Sequence, residues 1–182
     1  MDTTVVLFPG IGYGVDRPLF YYARKQAQQH GCRLICVKYR PFERDPALSL
    51  EQWAQAVLPG CVDDALAQLN SEVQSRWVFI GKSLGTLVAG EVARRMGVHP
   101  VHIFLTPLPQ TYERYMRGQP CWAVYGTQDP LMTQACSQRM SQDVAVHLTA
   151  IPGADHSLEV PGDVVASVDA LRKVAALYCT LF

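Results

Sequence analysis

Residues 77–96 read WVFIGKSLGTLVAGEVARRM. The first four are large, apolar and partly β-branched, as a buried strand requires. From Leu84 onward the period changes. Leu84, Leu87, Val88 and Val92 recur at three- and four-residue spacing and mark one face of an amphipathic helix. Between the two patterns lies Gly81-Lys82-Ser83-Leu84-Gly85, a G-x-S-x-G turn with a strand before it and a helix after it. So tight a turn leaves no room for side chains two residues either side of the serine. It lifts the serine Oγ above the sheet at a helix N-terminus, where the Leu84 amide can face a developing oxyanion. Serine is also a good helix cap, so the motif alone does not decide between chemistry and capping.

The partners of Ser83 are sought at other strand ends. Short β-branched runs alternate with amphipathic stretches along the whole chain, the pattern of a mainly parallel sheet covered by helices. Strands are expected over residues 4–8, 33–39, 77–80, 101–105, 121–125 and 144–150. Helices are expected from Pro18 to about His30, over 50–70 with a break or kink at Pro59-Gly60, from Leu84 to about Met96, over 133–141, and from Val164 to about Tyr178. Asp129, in Gly126-Thr127-Gln128-Asp129-Pro130, follows the fifth strand. His156, in Gly153-Ala154-Asp155-His156-Ser157, follows the sixth. In a parallel sheet all three turns fall on the carboxyl edge, in the chain order nucleophile, acid, histidine. Asp129 would otherwise be a helix cap and His156 a surface histidine; their joint placement favours a Ser83–His156–Asp129 triad. Asp155 is next to the histidine and so points elsewhere, which makes it a loop-shaping residue.

These segments resemble the α/β-hydrolase superfamily over nearly the whole chain, from Phe8-Pro9-Gly10-Ile11-Gly12 to Gly-Ala-Asp-His at 153–156. The resemblance implies a three-layer α/β/α fold with about six strands in one domain spanning residues 1–182. It also implies an oxyanion hole built from the backbone amides of Leu84 and Ile11, with Gly12 and Tyr13 as the neighbouring alternatives for the loop donor. Pro9 stands where the superfamily's oxyanion loop usually has histidine. Members usually begin with two further strands, and many insert a lid after the strand that follows the elbow helix. Only residues 106–120 are available for one here. The implied reaction is hydrolysis of a small acyl ester through an acyl-enzyme, with thioester or lactone cleavage as alternatives. Catalytically silent members of the fold that act as binding proteins form a separate alternative. Tyr13, Phe42, Pro107 and Leu108 are expected to wall the substrate pocket.

Other chemistries fit less well. Gly10-Ile11-Gly12-Tyr13-Gly14 is not the G-x-G-x-x-G of dinucleotide sites, and the second strand ends at Lys38-Tyr39-Arg40 without the acidic residue a ribose would need. Arg40 there suits only a 2′-phosphate. Gly81-Lys82-Ser83 imitates the end of a P-loop, but Arg76 holds the place of its first glycine, and Lys82 reads as a solvated or rim side chain. His30, His99, His102 and His147 read as structural. Lys+Arg and Asp+Glu are balanced at 16 each, which gives no footprint for nucleic acid or an anionic membrane surface. No apolar run approaches the ~20 residues of a membrane-spanning helix, and the N-terminus does not read as a signal peptide. Six scattered cysteines show no metal spacing and read as free thiols in a reducing compartment. A cytoplasmic enzyme with a small-molecule substrate, no cofactor, no metal, and no nucleic-acid or membrane partner is the expectation. Its oligomeric state is not legible.

Overall fold

The computed structural model describes residues 3–43, 45–69 and 76–181. Six strands form one parallel sheet: β1 (Thr3–Phe8), β2 (Arg33–Cys36), β3 (Arg76–Lys82), β4 (Val101–Leu105), β5 (Cys121–Gly126) and β6 (Val146–Ile151), in the order β2-β1-β3-β4-β5-β6. Their two-residue alternation divides the core. Val5, Leu7, Val78, Ile80, Ile103, Leu105 and Val124 face helices α1 (Pro18–Gln29) and α6 (Val164–Leu181). Val6, Phe8, Trp77, Phe79, Phe104 and Ala123 face α2 (Leu50–Leu69), α3 (Leu84–Met96) and α5 (Gln134–Gln142). Because both faces are covered, the strands read as continuous apolar runs rather than as alternating polar and apolar ones.

Several boundaries differ from the sequence expectation, each for a local reason. The second strand was expected to reach Tyr39 but leaves the ladder after Cys36. The Gln68 side chain donates to Lys38 O at 2.8 Å and accepts from Lys38 N at 3.0 Å, and Asp64 accepts from Arg40 N at 2.8 Å, so α2 replaces the neighbouring strand. The sixth strand begins at Val146, not Val144, because Asp143 turns the chain: its Oδ1 accepts from Ala145 N and its carbonyl from Val146 N. α2 runs unbroken through Pro59. Trp53, Ala54 and Leu58 before the proline, and Cys61, Val62 and Ala65 after it, are all buried, and their packing carries the helix across the missing bond. The expected last residue of that helix, Asn70, lies outside the described residues.

Residues 106–120 hold an element that periodicity did not reveal. A short helix α4, Pro109–Thr111, runs directly into a π-helical turn, Tyr112–Met116. It docks on α3. The Tyr115 hydroxyl donates to Glu91 at 3.0 Å, and its ring lies against Gly90, where a Cβ would come within 2.3 Å of it. No helix among the described residues is long and apolar enough to cross a membrane.

Candidate active site

The parallel register brings the turns together. Phe8 pairs with Gly81, Gly81 with Phe104, and Gly126 with Ile151, so the loops after β1, β3, β5 and β6 leave one edge of the sheet side by side. Among the described residues, the non-glycine positions with positive φ are Ser83 (54°), Thr106 (45°) and Leu158 (61°), which follow the carboxyl ends of β3, β4 and β6. Ser83 has ψ −119°, as the elbow reading requires. Its amide donates to Leu105 O at 3.0 Å, and its carbonyl accepts from Thr86 N at 2.9 Å and Thr86 Oγ1 at 2.6 Å. Thr86 Oγ1 also bonds Thr111 Oγ1 at 2.7 Å, which ties the elbow to α4. The flanking glycine is obligatory: a Cβ on Gly85 would lie 1.9 Å from Phe8 O.

Asp129 and His156 converge on this serine. His156 Nδ1 lies 2.7 Å from Asp129 Oδ2, and Nε2 lies 2.8 Å from Ser83 Oγ. A carboxylate only accepts, so Nδ1 carries the proton and donates to Asp129, and Nε2 is left to accept from the Ser83 hydroxyl. The aspartate side chain is wholly enclosed, whereas the imidazole is 25% exposed. The other Asp129 oxygen, Oδ1, accepts from Leu131 N at 2.9 Å. Asp155 turns away: its Oδ1 accepts from Ser157 N and Glu159 N, at 2.7 and 3.2 Å, and shapes the histidine loop.

Leu84 is the first residue of α3, where amides have no intrahelical acceptor. Ile11 sits in a tight turn closed by Gly10 N donating to Tyr13 O at 3.2 Å. That turn is pressed against the elbow, since a Cβ on Gly10 would stand 2.8 Å from Lys82 O. The turn that contains Ile11 and the first residue of α3 thus both adjoin Ser83.

The expected pocket residues divide. Tyr13 lines a cleft of about 290 Å³ with Pro18, Ser157, Leu158 and Val168. Leu108 lines another of about 220 Å³ with Leu50, Pro109, Pro130 and Leu131. Phe42 lines neither of them; its ring packs on Trp53 and Tyr39, at 5.6 and 6.5 Å. Pro107 is buried and also lines neither cleft. Arg40, weighed for a 2′-phosphate, is held by Asp64, with Nε 2.9 Å from Oδ1.

Lys82 is neither solvated nor on a rim. It is 1% exposed, and its Nζ donates to His156 O at 2.7 Å. The signal was present in the strand: Val78, Ile80 and Lys82 share one face by alternation. Among the described residues no group of three His, Cys, Asp or Glu side chains is placed to hold a metal ion.

No protein-family model and no curated protein matches the sequence. Solved structures do match in fold. A Xanthomonas campestris pv. campestris protein assigned to the alpha/beta superfamily of hydrolases is 18% identical, with TM-score 0.65 and coverage of 99% of each chain. A Xanthomonas campestris serine hydrolase described as having no lid is 13% identical, with TM-score 0.63, over 98% of this chain and 79% of its own. Mouse alpha/beta hydrolase domain-containing protein 10 is 10% identical, with TM-score 0.61, over 98% and 90% respectively. The fold is that of the α/β hydrolases.

Proposed function

We propose that this chain is a serine hydrolase that cleaves a small acyl ester. The observation that carries the reading is the unbroken hydrogen-bonded line from Asp129 through His156 to a serine held at positive φ. In the first step His156 Nε2 takes the Ser83 proton as Oγ bonds to the acyl carbon. Asp129 keeps the imidazole in the correct tautomer and stabilises its positive charge. The Leu84 and Ile11 amides face the oxygen that becomes negative, and losing one such donor typically costs roughly 3–4 kcal/mol of barrier. The tetrahedral species collapses when the ester C–O bond breaks and His156 gives its proton to the departing alkoxide. Water, deprotonated by the same nitrogen, then adds to the acyl-enzyme and returns the acid and free Ser83.

Clefts of about 290 and 220 Å³ are lined by Ser157 and Pro130, the chain neighbours of His156 and Asp129, and not by the triad residues themselves; their size suits short acyl and alcohol groups. The lidless serine hydrolase among the structural neighbours is consistent with an open site of this kind. Six free thiols are consistent with a reducing, cytoplasmic setting. Fluorophosphonate labelling followed by peptide mapping tests the assignment. Wild type is expected to be labelled at Ser83, and Ser83→Ala and His156→Ala are expected to be silent while remaining folded. A folded wild type that takes no label would refute the assignment and favour a binding role for the fold.

A further inference from the structure

The two-residue period that turns Val78 and Ile80 toward α1 and α6 turns Lys82 the same way. Its ammonium is enclosed among groups from three loops. The His156 carbonyl accepts from Nζ at 2.7 Å, and the Tyr13 ring centroid lies 5.1 Å from Nζ. The Asp129 and Asp155 carboxylates, from the loops after β5 and β6, favour the charged form. Enclosing an ammonium is expensive, and an apolar side chain of similar length would fill this place at lower cost. What an apolar side chain would not supply is the link itself. Lys82 is the residue before Ser83, and its ammonium is bonded to the peptide that carries the His156 imidazole.

On the reading of Ser83, His156 and Asp129 given above, we propose that Lys82 is a positioning residue. Its charged ammonium, bonded to the His156 carbonyl, holds the imidazole in line between Ser83 and Asp129. Lys82 itself touches no reacting atom. Charge is what makes the bond short and strong, and the attractions to the Tyr13 ring face and the two carboxylates depend on it as well. Burial pushes the Lys82 pKa down to about 8, so these attractions fade just above neutral pH. Burial raises Tyr13 above its ordinary value, with Glu159 adding to the rise, so Tyr13 stays neutral across that window. Turnover at Ser83 therefore declines as the pH passes about 8.

The test compares fluorophosphonate labelling rates of wild type, Lys82→Met and Lys82→Arg from about pH 6 to about pH 10. Proton NMR of the His156 ring is recorded on the same samples. Wild-type labelling is expected to fall above about pH 8. Lys82→Met is expected to label on the order of 10- to 100-fold more slowly at saturating probe, with unchanged probe affinity and no decline at that pH. Lys82→Arg, which keeps its charge, is expected to recover much of the rate and to hold it to the top of the range. The His156 Nδ1 proton resonance is expected to be sharp in wild type, broadened in Lys82→Met and restored in Lys82→Arg.

Equal rates and an unmoved His156 resonance in Lys82→Met overturn the proposal. A wild-type rate that stays level across the range also overturns it, as does an arginine variant that declines where wild type does. If either variant fails to fold, the wild-type profile still decides. Absence of label on wild type counts against the hydrolase reading instead, and the His156 resonance then judges Lys82 alone.

Discussion

Ser83 concentrates the opposition between stability and chemistry in one residue. Its φ of 54° and ψ of −119° lie where a side chain is strained and glycine is not. Ser83→Ala and Ser83→Gly both remove the hydroxyl and are expected to abolish labelling, but only glycine relaxes the turn. In urea denaturation the glycine variant should be more stable than the alanine variant by about 1 kcal/mol, after allowing for its more flexible unfolded chain. Equal stabilities would mean that the elbow carries no strain. Asp129→Asn should leave the serine–histidine pair in place but permit the wrong imidazole tautomer, slowing labelling on the order of 10⁴-fold. The three converging residues were legible because motif and chain order are properties of sequence. The burial of Lys82 was missed because the expected third strand ends at Ile80 and leaves Lys82 in the turn, whereas the ladder continues through Lys82.

At the scale of elements, what matters is how closely the loops of neighbouring strands approach. Gly126 ends β5, and a Cβ there would meet Ala154 O at 2.1 Å and Asp155 O at 2.5 Å. Both are backbone atoms of the histidine loop, which cannot swing aside as a flexible side chain would. Gly126→Ala should therefore push the Asp129 and His156 loops apart, costing about 3 kcal/mol of stability and most of the labelling rate. Gly14→Ala is the control, because a Cβ there meets nothing within 4 Å. Thermal melts and labelling of the two variants check this, and similar losses in both would show that the Gly126 junction is not special. Strands and helices with strong periodicity were legible in the sequence. The ends of β2 and β6 were not, because the side chains of Gln68, Asp64 and Asp143 compete there for backbone groups that propensity assigns to a ladder. The helical turns of residues 109–116 were missed for a related reason: they are held from outside, by Tyr115 on Glu91 and Thr111 on Thr86.

For the molecule as a whole, two enclosed basic groups, the His102 imidazole and the Lys82 amine, contribute to how stability responds to pH, and they act in separate windows. His102 stacks on Phe104 at 4.7 Å with its Nδ1 enclosed and unbonded, and burial pushes its pKa down to about 4. Between about pH 4 and its unfolded value near 6.5, the unfolded chain binds more protons than the folded one, so stability falls as the solution is acidified. Relative to His102→Phe, which keeps the stack, wild type should lose up to about 3 kcal/mol between pH 7 and pH 4. Lys82 has the same sign in a higher window. Its folded value of about 8 lies below its unfolded value near 10.4, so its contribution to stability rises as the pH is raised through that interval. The unfolding free energy from urea titration, wild type minus Lys82→Met, should shift in favour of wild type by about 2 kcal/mol between pH 8 and pH 10, and the subtraction cancels the other groups that titrate there. Labelling of Ser83 is expected to fall over this same interval. A merely structural lysine would raise stability with pH and leave the labelling rate alone, so the opposed slopes of the two curves separate a positioning role from a structural one.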